Sequence, residues 1–385
     1  MLRPIGWVVV IAGCSSAGGG DVPDARAVDA TPVMVVDAQG ITPPLEVRSL
    51  GVQGFALQFG DEVVLTAPMF TRQSTFAVTL GLPLPADTAA ITAGLAGIPL
   101  AQVHAVVSGH AHYDHLLDVP AVLAAAPNAH VFTNRSGQHV FAALAPDRPG
   151  CTNPQPTPVI TRDRVIAMDA EISSHVDYTN CPAQRPAGAP MQGSWVTAPG
   201  GRVRVMAVCS EHPDQIGPIH FGEGSIDQEQ CELPAGANGW LEGATVAFLI
   251  DFLDASGETA YRVFYQDAPA NGSIGEVPAA VLGGISVDLA LLCVGNYDAV
   301  ENQPTAILAN LTPRFAVSGH WEDFFRPRSE PPQPLPLLDV ETFVSRAETA
   351  LATPTDGPLT IDGVAAPGRH VLAQPGMKVS IPPRR

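Results

Sequence analysis

Between His110 and His115, six positions hold four side chains of metal-binding type. The segment reads Ser108-Gly-His-Ala-His-Tyr-Asp-His115, in a chain with only 11 histidines in 385 residues. Imidazole nitrogens and carboxylate oxygens suit zinc, and iron and manganese tolerate the same donor set. The short apolar run 104–108 precedes the cluster and reads as a strand buried in a sheet. In an extended segment alternate side chains point the same way, which groups His110, His112 and Asp114. A turn at Asp114-His115 then brings His115 to a neighbouring position. The bland alternative is a polar loop that happens to be rich in histidine.

Ligands work only when rigid elements present them. Leu45–Gly51, Gly54–Phe59 and Glu62–Thr66 read as three strands, the last two joined by a tight hairpin at Gly60-Asp61. A helix is expected over 87–96, then the 104–108 strand, a helix over 116–126, a strand over 130–133 and a helix over 136–144. Residues 146–200 are rich in Pro and Gly and read as an insertion, a candidate lid, around one strand near 164–168. Strands follow over 203–209, 244–250, 261–265 and 287–293. A helix over 298–310, a strand over 315–317, a helix near 339–351 and one short strand end the chain. Strands first, then strands alternating with helices, predict α/β layers with a sheet inside.

Composition narrows the function. Asp and Glu number 38 against 20 Lys and Arg, a net charge of −18. Nucleic-acid binding needs a basic face, so no nucleic-acid partner is expected. The start, Met1-Leu-Arg3 followed by the apolar run 5–12, is too short to span a bilayer and reads as a processing signal. Ile11-Ala12-Gly13-Cys14 resembles the bacterial lipobox, in which the Cys becomes the first mature residue and carries a lipid. That resemblance implies a signal peptide over 1–13, a flexible tether over 14–44 and a lipid anchor on Cys14. The implied location is the cell envelope, at the outer membrane, facing the periplasm or exterior. Five further cysteines are an odd number, so at least one is free or pairs outside the chain. Cys151 and Cys181 lie in loop-like sequence and are the first expected pair. Cys209 and Cys293 lie in apolar runs and read as small buried hydrophobes.

His-x-His-x-Asp-His resembles the first metal motif of the metallo-β-lactamase-fold superfamily. The resemblance demands further ligands, in order, each after a strand. Cys209-Ser-Glu-His212 matches the second-motif His, Tyr265-Gln-Asp267 the bridging Asp, and Ser318-Gly-His320 the last His. It implies an α/β fold, an αββα sandwich of two mixed β-sheets flanked by helices. The catalytic domain would span 45–325, with insertions near 146–200 and 213–240, and 326–385 would complete it. His110, His112 and His212 would hold one divalent metal ion, zinc first, and Asp114, His115 and His320 a second, with Asp267 bridging. The implied activity is hydrolysis of an ester, phosphodiester, lactone or amide by a hydroxide held between the ions, Asp114 orienting it or taking its proton.

Pro68-Met69-Phe70 resembles the branch that includes N-acylphosphatidylethanolamine phospholipase D, although Ala67 stands where that branch has an Asp. The implied substrate is a small or lipid-like molecule, and no protein partner is predicted. His220 and Tyr297 are candidates to contact substrate, His220 equally a loop residue. Arg72 is a candidate for holding an anionic group, and Trp321 for packing near the metals. His130, His139, His175 and His370 read as surface or packing residues. The competing class is a non-catalytic, metal-holding surface lipoprotein. Retention of all seven candidate ligands favours the enzyme.

Overall fold

The computed structural model describes residues 42–170, 172, 192–215, 221–271, 274–353 and 357–384. Cys14, His175, Cys181 and His220 lie outside the described residues, as do the signal and nearly all of the expected tether. Among the described residues, no helix is long and apolar enough to cross a membrane.

The first sheet contains β1 (Leu45–Gly51), β2 (Gly54–Phe59), β3 (Glu62–Thr66), β4 (Val103–Val107), β5 (His130–Thr133) and β6 (Val165–Ala167). The first helices are α1 (Thr75–Thr79), α2 (Thr88–Leu95), α3 (Tyr113–Leu116), α4 (Val119–Ala125) and α5 (Arg135–Phe141). The second sheet contains β7 (Val196–Thr197), β8 (Val203–Cys209), β9 (Val246–Leu253), β10 (Thr259–Tyr265), β11 (Leu289–Cys293) and β12 (Phe315–Gly319). Its helices are α6 (Ala279–Leu282), α7 (Thr305–Leu311) and α8 (Val340–Ala350), and four short strands close the chain: β13 (Thr360–Ile361), β14 (Val364–Ala365), β15 (His370–Leu372) and β16 (Lys378–Ile381).

Strand order is β14-β13-β16-β1-β2-β3-β4-β5-β6 in one sheet and β15-β12-β11-β10-β9-β8-β7 in the other. Both are mixed. β1, β2 and β3 pair antiparallel and β3 to β6 parallel; β8, β9 and β10 pair antiparallel, and β10, β11, β12 and β15 parallel. The period of two along each strand explains the layers. Val205, Ala207 and Cys209 of β8 point into a core shared with Phe55, Leu57 and Val107 of the facing sheet. Met206 and Val208 point the other way, into a cluster with Ile307, Leu311 and Phe343 of α7 and α8. Val63, Leu65 and Val106 likewise meet Ile91, Leu95 and Val122 of α2 and α4. Each such Val, Leu, Ile, Phe or Met side chain contributes roughly 1.5–3 kcal/mol. The result is an αββα sandwich, as the first-motif resemblance implies.

Five expectations need correction. The helix over 116–126 is two helices: the chain becomes helical at Tyr113, and Pro120 opens α4. The helix over 298–310 begins only at Thr305, directly after Pro304. The single C-terminal strand is four strands, β16 pairing with β1 and β15 with β12, so residues after 326 complete both sheets. Cys151 pairs with Cys231 and not Cys181. That bridge staples the two insertions together, and the side chains of Arg148 and Asn153 both donate to the Cys231 carbonyl. Cys209 is buried but disulfide-bonded, to a partner outside the described residues. Cys293 is a free buried thiol, as expected.

Candidate metal centre

The candidate ligands gather where four strands end. The first motif follows β4, His212 follows β8 and Asp267 follows β10. His320 follows β12, which lies parallel to β11 and through it to β10, so these ends share one sheet edge. Backbone conformation departs from the extended reading at one point. His112 is extended (φ −64°, ψ 155°) and caps α3, so Asp114 and His115 are presented from a helical turn.

Two groups form. His110, His112 and His212 make one triad; Asp114, His115 and His320 make another; and Asp267 joins His110 and His115 between them. His110, His115 and Asp267 are almost fully buried, while the side chains of Asp114 and His320 keep 13% and 11% of their exposure, which opens the cluster to solvent on that side. Asp114 Oδ2 lies 3.4 Å from His115 Nε2 and 3.4 Å from His320 Nε2. Charge-assisted hydrogen bonds are shorter, at about 2.7–2.9 Å. Two ligands at about 2.1 Å from zinc, at a tetrahedral angle, stand about 3.4 Å apart. This triad therefore has the spacing of donors around an ion.

Outer contacts fix the imidazole tautomers, as second partners of metal-binding histidines do. His110 Nδ1 lies 3.1 Å from Asp267 Oδ1, His112 Nε2 3.2 Å from the Gly222 carbonyl, and His212 Nδ1 2.8 Å from the Pro213 carbonyl. With each of those nitrogens donating, the lone pair sits on the opposite one. For His110 that is Nε2, which is buried without a hydrogen-bond partner. Asp267 Oδ2 also accepts the Gly109 N–H at 2.6 Å and lies 3.5 Å from His115 Nδ1. A Cβ at Gly109 would stand 2.2 Å from the Val246 carbonyl and 2.3 Å from Asp267 Oδ1, so only glycine fits there.

At His110 and Asp114 the electrostatics favour the ligating forms; at His115 and Asp267 they favour the protonated forms, which a bound ion would displace. Burial, then the neighbouring His115 and His112, push His110 well below its usual range and keep it neutral, as a ligand must be. Burial alone would raise Asp114, but His115 and His320 outweigh it and hold the carboxyl well below the usual range. His115 rises: burial opposes this, and Asp114 and Asp267 overcome it. Burial lifts Asp267 against the pull of His115 and the Gly109 N–H. The unpartnered His110 Nε2, the 3.4 Å spacing and the mixed imidazole-carboxylate donors fit divalent metal ions.

Residues outside the cluster fare differently. Tyr297 is buried away from it: its hydroxyl donates to the Asp339 carbonyl (2.8 Å) and its ring packs edge-on against Phe343. Trp321, next in sequence to His320, packs into the same outer core and donates to the Ala373 carbonyl. Phe324 packs edge-on to His320. Arg72 is paired with Glu322 at 2.7 Å. His139 bonds the Ile226 carbonyl and His370 meets Ser318 Oγ, packing roles as expected. Sequence reasoning missed the role of Asp118, a buried carboxylate between α3 and α4 that holds the loop after β3. It accepts Phe70 N–H, Thr71 N–H and Thr71 Oγ1–H at 2.6, 2.8 and 2.6 Å, beside the position where the chain has Ala67. Its place three residues after His115 was the available signal.

His320 stands in the left-handed region (φ +57°), which costs a side-chain-bearing residue roughly 1–2 kcal/mol. Val52 (φ +53°), whose carbonyl accepts the His320 N–H at 2.6 Å, shares that conformation.

No protein-family model and no curated protein sequence matches the chain. Solved structures do. The metallo-beta-lactamase fold protein YhfI from Bacillus subtilis is 13% identical over 88% of this chain and 99% of its own, with a TM-score of 0.44. Igni18, a metallo hydrolase from Ignicoccus hospitalis, is 14% identical over 88% and 98% (TM-score 0.43). CmlA, a diiron beta-hydroxylase from Streptomyces venezuelae, is 11% identical over 90% of this chain and 55% of its own (TM-score 0.42). At these identities and scores, the chemistry is read from the site's own residues.

Proposed function

We propose that this protein is a metal-dependent hydrolase of the metallo-β-lactamase superfamily, acting on an ester, phosphodiester, lactone or amide bond. The observation that carries the reading is the meeting of seven ligand-type side chains, from four strand ends, as two triads sharing one edge at Asp267. His110, His112 and His212 would hold one divalent ion, and Asp114, His115 and His320 the other, with Asp267 shared between them. Two such ions lower the pKa of a water toward about 7 and act as Lewis acids toward the substrate oxygen. The chain's own residues do the rest. Asp114, ionised and partly open to solvent, orients the attacking water and accepts its proton. Asp267 holds the rings of His110 and His115. The sandwich keeps the inner side of the cluster dry, which strengthens every charge interaction there.

Metal analysis of the purified domain, with a panel of phosphodiester, lactone, ester and β-lactam substrates, tests this. About two equivalents of zinc, iron or manganese together with turnover of one class is the expected result. Two equivalents with no hydrolysis of any class would shift the reading to a metal-holding surface protein, and no metal uptake would end both. The Cys14 signal supports an envelope location through a lipid on that residue. Cys14→Ser should release the protein from the membrane fraction; retention there would refute the anchor.

A further inference from the structure

We infer that the buried Arg72–Glu322 pair is the positioning element for His320, and through it for the second of the two metal positions. The inference rests on the functional reading above. The loop bearing His320 is held by a chain of contacts. Val52 receives the His320 N–H, and the Val52 N–H donates to Glu322 Oε1 at 2.9 Å. The same oxygen accepts Arg72 Nη2–H at 2.7 Å, and Arg72 Nη1 donates to the Met69 carbonyl at 3.2 Å. Phe70 and Thr71 then bind the Asp118 carboxylate, just beyond the helix that presents Asp114 and His115. Two parts of one triad, about 200 residues apart in sequence, are thus tied through a single polar strap.

Three facts make this more than a surface ion pair. The two side chains are only 9% and 7% exposed. Both residues whose backbone the strap holds, Val52 and His320, have left-handed φ, so they stay in place only where the surroundings over-determine them. A Cβ at Gly51 would stand 2.7 Å from Glu322 Oε1 and 2.9 Å from Arg72 Nη2, so the preceding residue is trimmed to let the pair form. A buried ion pair is weak evidence for stability, since an apolar pair of similar volume often replaces it without loss. Fixing the geometry of His320 is the role that remains. The contacts of the strap run to Val52, Met69, Phe70, Thr71 and Asp118, on the side of His320, Asp114 and His115, so the effect should be confined to one triad.

The test uses the wild type, an Arg72→Met/Glu322→Leu double variant that removes both charges, and Glu322→Gln, which keeps an acceptor for the Val52 N–H. Each is dialysed against buffered zinc and against cobalt. Equivalents bound, the visible spectrum of the cobalt form and thermal unfolding are measured in parallel. The wild type should take up two equivalents. The folded double variant should keep the first at wild-type affinity and weaken the second by about 10- to 100-fold, the usual effect of losing a partner behind a ligand. Its cobalt spectrum should be that of a singly loaded protein, and Glu322→Gln should stay within a few-fold of wild type. A folded double variant that binds both equivalents normally, or loses both together, overturns the inference. Wild-type protein that takes up no metal overturns the functional proposal instead, which keeps the two failures distinguishable.

Discussion

Metal removal should lower thermal stability by an amount that can be worked out. The two triads bring five imidazoles and a carboxylate together, with ring centroids as close as 4.1 Å for His110 and His115 and 4.8 Å for His110 and His212. Unfolding separates ligands that lie about 100 to 200 residues apart in sequence, so an ion at these positions stabilises mainly the folded state. At free metal a hundredfold above Kd, linkage contributes about 2.7 kcal/mol per site, or about 5.4 kcal/mol for two. The described domain spans about 340 residues, and unfolding entropy of about 2.1 cal/mol/K per residue gives about 0.7 kcal/mol per degree. Loaded protein should therefore melt about 8 °C above chelator-treated protein, and His112→Ala should keep about half of that shift. Scanning calorimetry against buffered free zinc reads both numbers. A melting temperature indifferent to metal over a thousandfold range of free zinc would refute the assignment of these residues as ligands.

Other consequences are simpler to state. His112→Ala should abolish hydrolysis in metal-replete enzyme; undiminished turnover would remove His112 from the site. His370 is partly buried and burial pushes its pKa down to about 4, below the ordinary value of about 6.5. Stability from its neutral form is complete above pH 6.5 and is lost as pH falls toward 4, by up to about 3 kcal/mol. His370→Gln should flatten that part of the urea midpoint profile relative to wild type, and parallel profiles would refute the shift. Asp251, fully buried, accepts Arg262 at 2.7 and 2.8 Å and Arg204 at 2.8 Å. Asp251→Ala leaves the buried Arg262 without that partner and should cost about 3–5 kcal/mol in denaturant titration. Its metal content should stay at the wild-type level, and a stability change below 1 kcal/mol would show that the network contributes little.

What could be read from the sequence, and what could not, follows from the range of the interactions involved. Strands at 45–51, 54–59, 62–66, 130–133 and 203–209 were legible because the sandwich covers both faces of each sheet, leaving apolar runs bounded by turn residues. Two-residue strands such as Thr360–Ile361 carry no period to detect, and the helical turn at Tyr113 is too short to show one. The candidate ligands stood out because histidine is scarce in this chain and metal-binding chemistry tolerates few substitutes. Tyr297 misled because an aromatic after a strand end has the same local signature whether it faces the ligands or, as here, α8. The pairing of Arg72 could not be read because its partner lies 250 residues away. Asp118, Arg72, Glu322 and Gly109 are residue types found in any loop, and their roles exist only once distant segments meet. A candidate metal site is therefore legible at its ligand-type residues and nearly silent at its supports. A substitution such as Glu322→Leu looks harmless beside His320→Ala in the sequence, yet in the folded chain it releases the backbone on which His320 depends.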